Sequence, residues 1–287
     1  AGLRMTAPDM KLSADLFYDG TSLMDMRVLS TLGLADGDLD VLRSVEGVEE
    51  VMGAYETDVL ATVNGEQYAT RVHSLPFAAT ASSCDDGVNV ESDDPSYLNR
   101  LVLMEGSWPE REGECVMSGN VVMATPLSVG DTVTVTEGLR DVDDTLTTRT
   151  YTVTGLVSSS YYATSSNMGT TSLGSGNIQQ FMYVPETDFS PDLPYTDAFV
   201  TVKGAAGKFY SSAAYDERVE SVMDAVKAMA PARERARGDE LRSAAQAALD
   251  DKRAEYESRK ADTERELAEA KQQLADAQQQ LDDAAFA

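Results

Sequence analysis

From Asp239 to Ala287 the chain runs for 49 residues without a Gly or Pro, in a stretch rich in Ala, Gln, Glu, Asp, Lys and Arg. Such a composition is compatible with one long helix and little else, because every residue type in it is a tolerant or strong helix former. At about 1.5 Å per residue the helix would run roughly 75 Å, longer than a compact domain of this size is wide. It must therefore project from the body or pack against something else. Leu267, Ala270, Leu274, Ala277, Leu281 and Ala284 fall on alternating spacings of three and four, a heptad seam. Upstream, Leu241, Ala245, Ala248 and Leu249 form a second patch, with Lys252, Arg253 and Lys260 interrupting a continuous register. An antiparallel hairpin whose return helix lies outside the 287 residues fits this thin seam best, with a parallel dimer as its competitor. Pro231 and Gly238 are expected to separate the long helix from what precedes it.

The remainder carries most of the charge. Of 23 Lys and Arg against 49 Asp and Glu, residues 231–287 hold 10 and 14, leaving 13 and 35 for the body. A surface that acidic does not condense on phosphate backbones, so nucleic acid is a poor partner. Hydrophobic residues make up 42% of the chain, ample for a packed core. No run approaches the roughly 20 apolar residues that cross a bilayer. The chain starts without Met and stops inside a helical pattern, as a piece of a longer protein would.

The body reads as an α+β arrangement. Leu12, Leu16 and Phe17 make a short apolar stripe; Met26 to Leu32 reads as a strand; Asp36 caps a helix with Leu39, Leu42 and Val45 inward, stopped by Gly47. Val48 to Leu60 is extended, and Asn64-Gly65 is a tight hairpin turn before Gln67 to Ser74. After Pro76 the texture changes to acidic loops and short strands, with candidates at Glu114 to Met117, Asp131 to Thr136 and Thr148 to Val157. Phe181 to Val184, Ala198 to Val202 and an amphipathic helix from Tyr215 to Met229, with Val219, Val222, Met223 and Val226 inward, read as the second half of the first unit. The organisation is thus a discontinuous αβ lobe from residues 1–75 and 179–230, a β-rich lobe inserted at 76–178, and a helical arm at 231–287.

Ser158 to Asn177 is polar and poor in aliphatics, a mobile loop whose Tyr161, Tyr162 and Met168 are candidates for touching a partner. Cys84 and Cys115 lack the paired spacing of a metal site and are compatible with one disulfide. No chemistry emerges elsewhere. His73 is the single histidine, without a serine motif or a reason to pair with a cysteine, so a triad has no support. Gly174-Ser175-Gly176 lacks the spacing and Lys of a phosphate loop. Asp141, Asp143 and Asp144 crowd a turn, but the Gly and distant Glu of a calcium loop are absent. Trp108 reads as a turn anchor, and no catalytic, cofactor or metal residues are assigned.

Several weak motifs in a fixed order resemble the extracytoplasmic domain of FtsX-like, MacB-type ABC transporter permeases. They are Leu103-Met104-Glu105-Gly106-Ser107-Trp108-Pro109, Gly113-Glu114-Cys115-Val116-Met117, Ser128 to Val135, Tyr151-Thr152-Val153-Thr154-Gly155-Leu156-Val157 and Phe181-Met182-Tyr183-Val184-Pro185. Asp25 to Leu34 resembles the strand that follows the first membrane stalk in large Gram-positive members. The resemblance covers roughly residues 10 to 230. It implies a porter-like αβ lobe with an inserted β lobe and a strand at Phe181 to Pro185 returning to the first lobe. It also implies an extracellular position on the bacterial plasma membrane, with transmembrane helices outside the 287 residues, ATP hydrolysis on a separate cytoplasmic subunit, and a second permease domain or protomer as partner. No cofactor is implied. A secreted or cell-surface adhesion protein with a coiled-coil stalk is the alternative; it accounts for the acidity and the rod but not for the order of the motifs.

Overall fold

A computed structural model describes residues 6–76, 94–119, 126–162 and 168–285. The chain divides into two compact units, Ala1–Met229 and Ala230–Ala287.

In the first unit, helix α1 (Thr6–Gly20) leads into strand β1 (Met26–Leu34), helix α2 (Asp36–Arg43) and strand β2 (Val48–Ala54). Leu12 and Leu16 of α1 are exposed, so the apolar stripe read there is not buried among the described residues. The N-cap position of α2 is Ala35 rather than Asp36, and the Asp38 carboxylate accepts the Ala35 N–H at 2.7 Å. Strand β10 (Tyr195–Val202) returns from far along the chain and lies antiparallel between β1 and β2. The start of helix α3 (Ala213–Ala285) covers this three-stranded sheet: Val219, Val222 and Val226 pack with Leu39, Leu42, Val51 and Val200. Gly47 has φ +93°, and a Cβ there would meet Val222 at 2.7 Å, so the turn before β2 needs glycine on two counts.

The second sheet holds β3 (Glu56–Val63), β4 (Glu66–Leu75), β5 (Leu101–Gly106), β6 (Glu114–Ser118), β7 (Thr132–Gly138), β8 (Thr150–Ser159) and β9 (Gln180–Pro185). Asn64 and Gly65 both have positive φ and close the β3–β4 hairpin, with Val63 opposite Glu66. The order is β5-β8-β6-β9-β4-β3-β7, and β7 pairs again with β8, so six strands close on themselves with β5 appended. Alternate residues point inward, as closure requires: Val59, Ala61, Val63, Val72, Cys115, Met117, Val133, Val135, Tyr151, Val153, Met182 and Val184 form one buried cluster. On the other face, Phe181 and Tyr183 pack with Leu101, Trp108 and Val116.

This topology moves the boundaries read from sequence. Strands β3, β4 and β9, assigned to the first lobe at 1–75 and 179–230, hydrogen-bond into the barrel. The chain passes between the sheets at Tyr55 and again between Pro185 and Tyr195. Phe181 to Pro185 therefore does not return to the first sheet; β10 does, because β9 pairs with β4 and β6.

Pro231 and Gly238 do not break α3. The interruption fails because both lie among Ala, Arg and Glu, strong helix formers. The second unit is the remainder of this helix, exposed throughout residues 251–281.

Candidate functional site

The concentration of ionisable side chains lies where the two sheets of the first unit meet. Glu56 opens β3 immediately after β2 ends, and its N–H donates to the Thr196 hydroxyl of β10 at 2.7 Å. Side chains at Glu56 and Asp58 point away from the barrel interior, since Val59 and Ala61 point into it. The antiparallel register sets Glu56 opposite His73 and Asp58 opposite Arg71. Arg71 grips Asp58 with two N–H donors, at 2.7 and 3.1 Å, and lies 3.3 Å from Glu56. From the other sheet, Arg27 of β1 donates to Glu56 at 2.9 Å and to Asp197 of β10. Two guanidinium groups thus meet three carboxylates, and Arg27 is the member that ties one sheet to the other.

Burial gives these contacts weight. The side chains of Asp197, Asp58, Glu56 and Arg71 are 1%, 6%, 11% and 13% exposed. Burial alone pulls both guanidinium pKa values down, yet the carboxylate hydrogen bonds and charges outweigh it, and both end above the ordinary arginine value. An aromatic layer seals the cluster. His73 stacks on Tyr183 with ring centres 4.6 Å apart, Tyr162 stacks on Phe181 at 4.5 Å, and the Arg27 guanidinium sits 5.9 Å above the Tyr161 ring. Tyr162 hydroxyl and His73 Nε2 share a hydrogen bond, and the Tyr161 hydroxyl donates to Glu56 at 3.4 Å.

The chemistry available here is mechanical. Burial, then the nearby Arg71 charge, push His73 down to about 3, so the imidazole is neutral and a poor base at physiological pH. Burial raises Tyr161 and Tyr162 above the ordinary phenol value, so neither supplies a phenolate. Among the described residues no group of three or more His, Cys, Asp and Glu converges to hold a metal ion. Asp141 and Asp143, in the turn considered for calcium, face Arg149 at 3.7 and 2.6 Å. What the cluster does is fix one sheet against the other.

A cavity of about 280 Å³ opens beside α1, lined in part by Tyr18, Asp19, Asp25, Glu49, Tyr210 and Tyr215. Two of its carboxylates already serve the fold: Asp25 accepts from the Tyr215 hydroxyl and the Val202 N–H, both at 2.7 Å, and Asp19 accepts the Gly207 N–H at 3.1 Å.

The residues singled out in the sequence scatter across the molecule. Tyr161 and Tyr162 are half-buried in the aromatic layer, and Met168 is buried in one cluster with Trp108 and Phe181. Among the described residues of the segment, Leu173 is buried against Leu60 and Ala69, and Ile178 just beyond it is buried as well. Cys84 lies outside the described residues. Cys115 is a buried thiol inside the barrel, raised above the ordinary cysteine value by burial and then by the Asp188 charge. Leu267, Ala270, Leu274, Ala277 and Leu281 share α3 and are exposed; Ala284 is on the same helix. Arg27, Glu56, Asp58, Arg71 and Asp197 were not singled out, being spread over four strands. The signal available was charge on one face of otherwise apolar strands, as in Arg71-Val72-His73.

No protein-family model and no curated protein matches the chain. Among solved structures it is similar to the extracellular domain of the noncanonic ABC-type transporter YknZ from Gram-positive bacteria, at 12% identity over 67% of this chain and 80% of that one, with a TM-score of 0.33. It is also similar to the periplasmic region of MacB from Actinobacillus actinomycetemcomitans, at 12% identity over 70% of this chain and 75% of that one, with a TM-score of 0.35. Both neighbours are extracytoplasmic portions of their proteins. Among the described residues no helix is long and apolar enough to cross a membrane.

Proposed function

We propose that this chain is a non-enzymatic extracytoplasmic domain of an FtsX-like, MacB-type ABC transporter permease subunit. In this reading it couples ATP hydrolysis on a separate cytoplasmic subunit to movement of, or contact with, an extracellular cargo or partner. The observation that carries the reading is the position of the barrel in the chain. It is inserted between β2 and β10, so the strands before and after it share one three-stranded sheet. In this reading the discontinuous lobe would receive motion through one layer and deliver it to the other, with the Arg27–Glu56 ion pair joining the two layers. The collinear motifs agree: Gly113 to Met117, Ser128 to Val135, Tyr151 to Val157 and Phe181 to Pro185 supply strands β6 to β9 of that barrel. Transmembrane helices outside the 287 residues would anchor the domain, with a second permease domain or protomer beside it, and the arm of the second unit would act as a lever or docking rod.

The test uses the full-length gene product in its own cell. Exposed Glu66 in the β3–β4 turn is replaced by cysteine. Labelling of intact cells by a membrane-impermeant maleimide, above the unsubstituted protein, is expected, together with co-purification of an ATPase subunit from detergent extract. Release of the protein into the medium, or anchorage to the cell wall without an ATPase, would favour the adhesion reading and end this one.

A further inference from the structure

We infer that the second unit pairs with a second copy of itself as an antiparallel two-stranded coiled coil centred between Leu267 and Ala270. The inference concerns the arm alone and does not rest on the transporter reading. Carried back from Leu267, Leu274 and Leu281 at intervals of seven, one row of the seam reaches Lys260 and Arg253. The other row, carried back from Ala270 and Ala277, reaches Thr263 and Tyr256. The register is therefore continuous, and the basic residues occupy seam positions instead of interrupting it. Tyr256, Leu267, Leu274 and Leu281 are 64%, 54%, 72% and 66% exposed, far more than side chains of that size show against a partner.

Size and charge select the occupant and its direction. A parallel copy would set Arg253 on Arg253 and Lys260 on Lys260. Lys252 and Arg259 would flank those layers, leaving several positive charges around each. An antiparallel copy in the register that places Leu267 on Ala270 removes every such contact. Thr263 then meets Leu274, Lys260 meets Ala277 and Tyr256 meets Leu281, so a bulky residue faces a smaller one or an apolar one in each layer. The lysine stem lies over alanine and its ammonium reaches water. Beside the seam, Glu264 of each copy faces Lys271 of the other, Glu257 faces Gln278, and Arg259 and Glu266 face Gln280 and Gln273. No like charges meet. Within the helix, ion pairs join Arg259 to Glu255 and Arg265 to Asp262, whereas Glu264 and Lys271 have none among the described residues. Glu264 and Lys271 are thus free, among the described residues, for an intermolecular match.

Sedimentation equilibrium of the 287-residue chain across micromolar concentrations is expected to show a monomer–dimer equilibrium. Lys271→Glu sets like charges opposite each other twice and should weaken the dimer about tenfold. Adding Glu264→Lys to that variant should restore it, and circular dichroism of both variants should show unchanged helix. Direction is read by oxidation in a Cys84→Ser background, Cys115 being buried. Mixing Lys260→Cys with Ala277→Cys chains should give the mixed disulfide in preference to either homodimer. A monomer at every concentration, a dimer indifferent to the charge variants, or homodimeric cross-links would each overturn the inference, the last in favour of the parallel form.

Discussion

Arg71 and Asp58 in the body meet at 2.7 Å, and Arg265 and Asp262 in the arm meet at 2.6 Å. By distance the two ion pairs are the same interaction. By environment they are opposites, since the first pair is 13% and 6% exposed and the second 69% and 54%. Water screens the arm pair and can replace either partner, so breaking it costs little. In the body nothing replaces Arg71, and its removal would leave two carboxylates desolvated beside each other. The contrast separates the two regions: in one, charges are buried and fix packed sheets, and in the other they lie on the exposed face of a helix.

The largest effect expected from this contrast follows Arg71→Ala. Asp58 loses a bidentate partner and Glu56 a neighbour, both nearly buried, and the first unit should lose about 3–5 kcal/mol of stability in urea titration. A loss below about 1 kcal/mol would show that water reaches the cluster and that the contrast drawn from burial is wrong.

Pro231→Ala probes the same contrast in the other direction, since here a substitution should strengthen a region. The proline removes a helical donor and crowds the preceding turn, at a penalty of up to about 3 kcal/mol in a helix interior. Hydrogen exchange of the amides on both sides of residue 231 should slow. Unchanged exchange would mean that the helix opens there by other routes.

A third prediction concerns the crossing between Pro185 and Tyr195. Asp188 lies in the 3-10 turn Glu186–Asp188 and is fully buried; one oxygen accepts the Gly113 N–H at 3.1 Å, and the other has no partner among the described residues. The Tyr151 hydroxyl is also buried without a partner among the described residues. Burial, aided by Glu112, raises Asp188 to about 6 against the Gly113 hydrogen bond. The folded state therefore holds a proton that the unfolded chain releases near pH 4. The stability it contributes is complete below that pH and is lost as pH rises through about 6. Asp188→Asn should flatten this decline and leave the variant on the order of 2 kcal/mol more stable than the parent at pH 8, as read from Tm against pH. A parallel shift of the whole curve would assign the decline to other groups.

Local features of both regions were legible from sequence, and long-range ones were not. Asn64-Gly65 marks its hairpin because positive φ at both positions is a property of those two residues. The length of α3 is legible for the same reason, since its helix-forming composition is local. Closure of the barrel depends on β7 meeting β8 and on β4 lying parallel to β9, more than 100 residues apart, and nothing in either segment names its partner. The charged junction was hidden in part for the same reason: Asp58 and Arg71 are partners within the β3–β4 hairpin, but Arg27 reaches Glu56 only when the two sheets pack. Pro231 misled for the opposite reason, because a strong local rule was outweighed by the helix-forming residues around it.

The smallest effect is the one that completes the comparison. Arg265→Ala removes a 2.6 Å ion pair from the exposed helix and replaces arginine with the best helix former. The lost attraction is worth about 0.3–0.5 kcal/mol, and the gain in propensity offsets part of it. Helicity and melting of the arm should therefore stay within about 0.5 kcal/mol of the parent, a change that salt screens further. If Arg265→Ala instead melted the arm, the exposed side chains of α3 would be bearing load as those of the junction do, and burial would no longer distinguish the two regions.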